Sequence, residues 1–100
     1  MIEFEKRIEI YATVSELHEL YYTLNERNNE VQDFIKNNKK LTLEEIKEIQ
    51  KKYDDFCVYL RGFSNMSDRY DNANVKFYKK DRHVINILTS CNIIKIKEES

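Results

Sequence analysis

Four side chains in this sequence have the chemistry to bind a metal or act as a nucleophile or base: His18, Cys57, His83 and Cys91. A metal needs ligands that converge, and these four stand singly, with no C-x-x-C pair and no two histidines one helical turn apart. A calcium loop around Asp68, Asp71, Asn72 and Asn74 fails as well. Ala73 falls where a ligand should follow Asp71, and no glycine is present to make the sharp turn. Cys57 falls in the apolar stripe of a long helical pattern, where burial raises a thiol pKa. Cys91 falls near a helix C-terminus, where the dipole disfavours a thiolate. Both read as reduced packing cysteines. His18 reads as a boundary residue of a helix, and His83 as a member of a basic run. The expectation is therefore no catalytic residue, no metal and no cofactor, and a protein that is not an enzyme.

Two surfaces carry more chemistry. In the first, Arg69, Lys76, Lys79, Lys80, Arg82 and His83 are interleaved with Tyr70, Phe77 and Tyr78. Cations neutralise phosphate and aromatic rings stack on bases. Arg69, Lys76, Tyr78, Lys79, Lys80, Arg82 and His83 are thus the candidate contacts to nucleic acid or another anion. The competing reading is a solvated edge strand that lysines guard against aggregation. The second surface is the acidic outer side of the first helix, Glu16, Glu19, Glu26, Glu30 and Asp33, with Tyr11, Tyr22 and Tyr59 off the main apolar stripes. Tyrosine adds rigid contact area and one polar tip, so Glu16, Glu19, Tyr22, Glu26, Glu30 and Tyr59 form a candidate protein interface. Its plain alternative is a solvated helix face.

The elements that position these residues follow from periodicity and caps. Ile2, Phe4, Ile8 and Ile10 alternate with charged residues over 2–12, the pattern of a half-buried strand. Thr13 and Glu16 have capping-box spacing, and the stripe Leu17, Leu20, Tyr21, Leu24, Val31, Ile35 carries one helix from about 14 to 37. Asn28 lies within that stripe, either at its margin or as a buried polar residue that fixes register. After a polar Asn37-Asn38-Lys39-Lys40 turn, Thr42 and Glu45 open a second helix through Ile46, Ile49, Tyr53, Phe56, Cys57, Leu60 and Phe63, antiparallel to the first. Apolar character spreads around the cylinder at 56–60, so that stretch is expected to be covered on two sides. Gly62 ends or bends the helix. Residues 71–74 read as a turn and 75–78 as a short strand. The following segment is read as a short helix capped by Asp81, with Val84, Ile87, Leu88 and Cys91 inward, Asn92 left-handed at its end and Ile93 as the apolar follower. The alternative is a β-hairpin of 83–89 with 92–98. Ile94 and Ile96 between lysines form the last strand, where Lys95 and Lys97 face the glutamates of the first.

One glycine, no proline and two alanines stand against ten asparagines and twelve lysines. That composition removes Gly-rich phosphate cradles and points to AT-rich codons, such as those of a phage or another mobile element. The chain is 41% apolar and 12% aromatic, enough for a core, and its net charge of -1 recruits neither nucleic acid nor membrane as a whole. No apolar run nears the ~18 residues of a membrane span, and Glu3 and Glu5 interrupt any leader-like start. Taken together, residues 1–100 read as a single cytoplasmic α+β domain. Its expected architecture is a long antiparallel helical hairpin with a small antiparallel sheet from the two terminal strands, in the order β-α-α-short β-α-β. Its expected function is a non-enzymatic protein-binding module that inhibits or redirects a host protein by occupying its surface. Nucleic-acid binding through 69–83 is the alternative, and self-association through Val58 and Tyr59 as a homodimer is a third reading.

Overall fold

Strands β1 (Ile2–Lys6) and β2 (Ile10–Thr13) open the chain in a computed structural model that describes residues 1–6, 9–63, 74–77 and 82–97. The predicted first strand is in fact two strands paired antiparallel, with Glu5 opposite Tyr11. Helices α1 (Val14–Glu26), α2 (Asn28–Lys36) and α3 (Leu43–Phe63) follow, then β3 (Asn74–Phe77), α4 (Arg82–Ser90) and β4 (Ile94–Lys97). The α+β class holds, and α4 resolves the choice between helix and hairpin. Of the turn predicted at 71–74, Asn74 belongs to β3 instead, and the rest, like the cap Asp81, lies outside the described residues.

The sheet runs β3-β2-β1-β4 and is mixed, not antiparallel as expected. β2 pairs antiparallel with both β1 and β3, whereas the terminal strands β1 and β4 run parallel, Ile2 beside Ile94 and Phe4 beside Ile96. The cause is the crossover through α4, which returns the chain in the direction of β3 and so parallel to β1. The predicted charge pairing survives this reversal, because alternation is the same read in either direction. Glu3 sits opposite Lys95 and Glu5 opposite Lys97.

One face of the sheet is apolar and one is charged. Ile2, Phe4, Ala12 and Ile94 are buried, with Ile10, Val75 and Ile96 half-buried beside them. Helix α1 covers β1 and β2, α4 covers β4, and α3 packs chiefly on the other three helices. Glu3, Glu5, Lys76, Lys95 and Lys97 are exposed on the opposite face, which no described helix covers.

Both predicted capping boxes are formed. The Glu16 amide donates to Thr13 Oγ1 at 3.1 Å and the Thr13 amide to Glu16 Oε1 at 3.0 Å. Thr42 and Glu45 exchange the same pair at 3.2 and 3.3 Å. The helix expected to run from 14 to 37 is broken at Arg27 (φ -107, ψ 19), which separates α1 from α2. Helix α3 runs through Gly62 to Phe63, so the glycine does not end it earlier.

Asn92 is left-handed (φ 57), as its place after α4 predicts. The Ile93 amide donates to Leu88 O at 2.9 Å and the Asn92 amide to Thr89 O at 3.1 Å, the paired bonds of a Schellman turn. Burial of Ile93 beside Leu88 completes it. Substituting Asn92→Val is expected to cost about 1–2 kcal/mol, because a β-branched side chain clashes in this conformation, while Asn92→Gly is tolerated. Urea melts of the two variants check this, and equal midpoints would rule out the turn as its cause.

Candidate functional site

The groups most able to react lie on α1 (His18), on α3 (Cys57), on α4 (His83) and in the turn that follows α4 (Cys91). Cys57 and Cys91 are free and half-buried. Burial pushes the Cys57 thiol up, against a hydrogen bond with Tyr53 that pulls it down. Burial also raises Cys91, aided by the Glu30 carboxylate and opposed by Arg27. Both shifts leave protonated, weakly nucleophilic thiols at neutral pH. The Nε2–H of His18 donates to the carbonyl of Phe63 and so serves the C-terminal end of α3. His83 is exposed on α4. Among the described residues, no three His, Cys, Asp or Glu side chains gather where a metal ion could be held. Nor, among those residues, is any helix long and apolar enough to cross a membrane.

Of the basic and aromatic residues singled out in 69–83, the structure describes Lys76, Phe77, Arg82 and His83. Arg69, Tyr78, Lys79 and Lys80 lie outside the described residues. Lys76 sits opposite Tyr11 in the sheet, and its ammonium pairs with Glu9 at 2.5 Å. A phosphate would have to compete with that carboxylate for the same charge. Arg82 and His83 are exposed in the first turn of α4.

The acidic and tyrosine residues divide into two groups. Glu16 is spent on its capping box. Glu30 is bound by Arg27, whose Nη2 also donates to the carbonyl of Cys91 at 2.9 Å, so Glu30 is held beside the end of α4. Glu19, Tyr22 and Glu26 remain exposed, and their spacing of three and four places them on one stripe of α1. Tyr22 is 60% exposed and meets Tyr21 edge to face at 5.6 Å. On α3, Tyr59 is 41% exposed and packs edge to face on Phe63 at 5.1 Å. Val58 beside it is 70% exposed, so the expectation that 56–60 is covered on two sides is incorrect. One side of that stretch, Phe56 and Leu60, is in the core and Val58 faces water.

Hydrogen bonds that tie α1 and α2 to α3 include His18 with Phe63, the Tyr53 hydroxyl donating to Asn28 Oδ1 at 3.3 Å, and Gln50 with Gln32. Interpolating between them puts Tyr22 level with Tyr59 on the antiparallel pair. No protein-family model matches the chain, and no curated protein or solved structure matches it. The site therefore rests on its own geometry. Asn28 resolves to the margin of the stripe, exposed yet holding the Tyr53 hydroxyl. Arg27 was the residue that periodicity missed. A lone arginine in a helical run carries no local sign that its guanidinium will reach across to another helix end.

Proposed function

We propose that this chain is a non-catalytic protein-binding module that docks through the exposed tyrosines of α1 and α3. The observation that carries this reading is that Tyr22 and Tyr59 present large exposed surface while their rings are braced by neighbouring aromatics. A braced ring loses little conformational freedom on binding, which lowers the cost of association. Glu19 and Glu26 flank Tyr22, so the fitting partner is a protein with an apolar pocket bordered by basic residues. The composition, rich in asparagine and lysine and poor in alanine, glycine and proline, supports a phage or mobile-element source. In that setting the partner is a host protein in the cytoplasm, inhibited or redirected by occupation of its surface.

Affinity capture from host-type cells, with nuclease-treated controls, tests this reading. The full chain is expected to retain one protein that Tyr22→Ala with Tyr59→Ala releases. Each anchor truncation costs about 2 kcal/mol, roughly thirtyfold in affinity. Glu19→Lys with Glu26→Lys should weaken the same complex. An empty capture, or a partner indifferent to all four substitutions, sinks the proposal. Recovery that nuclease abolishes transfers the function to nucleic acid, and a concentration-dependent dimer in light scattering transfers this face to self-association.

A further inference from the structure

Strand β4 is an edge of the sheet among the described residues, with β1 on one side and no strand on the other. Its four residues alternate in a way that already selects a neighbour. On the occupied side, Ile94 and Ile96 meet Ile2 and Phe4 on the inner face, while Lys95 and Lys97 meet Glu3 and Glu5 on the outer face. The partner that β4 accepts within this fold is thus an alternating apolar and acidic segment. The open side offers the same surface, because side chains in a strand stand perpendicular to the direction of pairing.

The charges on that side are not consumed by the existing neighbour. Lys95 reaches Glu3 only at 4.0 Å, with its side chain 64% exposed. Lys97 is exposed and makes no ion pair among the described residues. On the inner face Ile96 is half-buried and keeps apolar surface that a fifth strand would cover. The same alternation argues against a second copy as occupant. A second β4 laid alongside sets lysine against lysine on the outer face, and β3 of another copy brings Lys76 to that face.

We infer that the open edge of β4 is a docking site for an extended peptide segment in which apolar and acidic residues alternate, added to the sheet as a fifth strand. Backbone hydrogen bonds hold the segment, and Lys95 and Lys97 select its charge. The direction of the added strand does not matter to this selection, since alternation reads the same both ways. This surface is independent of the tyrosines on α1 and α3, so either can fail without the other.

The test uses the full chain, 15N-labelled, with two capped synthetic peptides, TVEVEVT and TVKVKVT. The acidic peptide is expected to shift the amide signals of 94–97 in a saturable way, and the basic peptide to leave them unmoved. Lys95→Glu with Lys97→Glu is expected to weaken the acidic peptide about tenfold and to admit the basic one. Tyr22→Ala with Tyr59→Ala should leave binding of the acidic peptide unchanged. Should the reversed variant unfold, the comparison of the two peptides on the unmodified chain decides alone. Equal binding of both peptides, or shifts that bypass 94–97, overturns the proposal.

Discussion

Truncating Phe4 to alanine is expected to remove about 3–5 kcal/mol of stability. Phe4 is fully buried on β1, the strand that joins the antiparallel half of the sheet to the parallel one. Its ring lies on the apolar face among Ile2, Ala12 and Ile94. Removing the ring leaves a cavity with strands on both flanks, and strands held by ladders on both sides cannot close inward to fill it. Domains of this size carry about 5–15 kcal/mol in total, so the variant should unfold at a much lower urea concentration. With a slope near 1–3 kcal/mol per molar urea, the midpoint should fall by about 2 M. Val58→Ala, exposed on α3, is the control and should stay within about 0.5 kcal/mol of the unmodified chain. A loss below about 1 kcal/mol for Phe4→Ala would mean that the sheet does not anchor the core.

The second large effect is alkaline instability centred on Tyr53. This residue is fully buried and donates its hydroxyl to Asn28 Oδ1. Burial, and then the neighbouring Cys57, push its phenol far above the ordinary value of 10.0. The thiols of Cys57 and Cys91 are likewise raised above 9.0, chiefly by burial. In the unfolded chain these groups titrate at ordinary values, so there they release protons at lower pH than in the native state. The unfolded state then binds fewer protons than the native one, and stability falls as pH rises. The contribution is complete below pH 8, starts to fade as unfolded thiols ionise near 9.0, and fades faster above 10.0 where unfolded tyrosine ionises. Urea melts from pH 7 to pH 11 should show a plateau and then a steep decline. Tyr53→Phe is expected to flatten the decline above pH 10 while costing about 1 kcal/mol at neutral pH for the lost hydrogen bond. Superimposable curves for the two proteins above pH 10 would refute this assignment.

What the sequence discloses here is local. Thr13 with Glu16 and Thr42 with Glu45 place two helix starts correctly, because a capping box is complete within four residues. Asn92 and Ile93 end α4 correctly for the same reason. The strand alternation places Lys95 and Lys97 on the face of Glu3 and Glu5, whereas Glu9, expected with them, pairs with Lys76 of β3. It leaves the relative direction of the strands open, since alternation has no polarity. The break at Arg27 escapes detection because the apolar stripe runs through it without losing phase. No glycine or proline stands there, and while Glu30 is an ordinary i,i+3 partner of Arg27, the carbonyl of Cys91 that its guanidinium also reaches is distant in sequence. At the site, exposure of Tyr22 is legible from its angle on the helix. That of Val58 is not, because an apolar residue in an apolar run gives no sign that its neighbours leave one side uncovered. Glu16 and Glu30 look as available as Glu19 and Glu26 until the capping box and Arg27 claim them.

The parallel pairing of β1 with β4 also dictates an order of events. Ile2 lies beside Ile94, nearly the whole chain away in sequence. During synthesis β1 emerges with its partner β2 close behind, and its other edge then waits until β4 has emerged as well. Helices α1 to α3, built from local hydrogen bonds, have formed long before that closure. The entropy of joining such distant segments falls on the final step, so the sheet is finished late and at once. Until β4 arrives β1 is paired along one edge alone, with Ile2 and Phe4 still seeking cover.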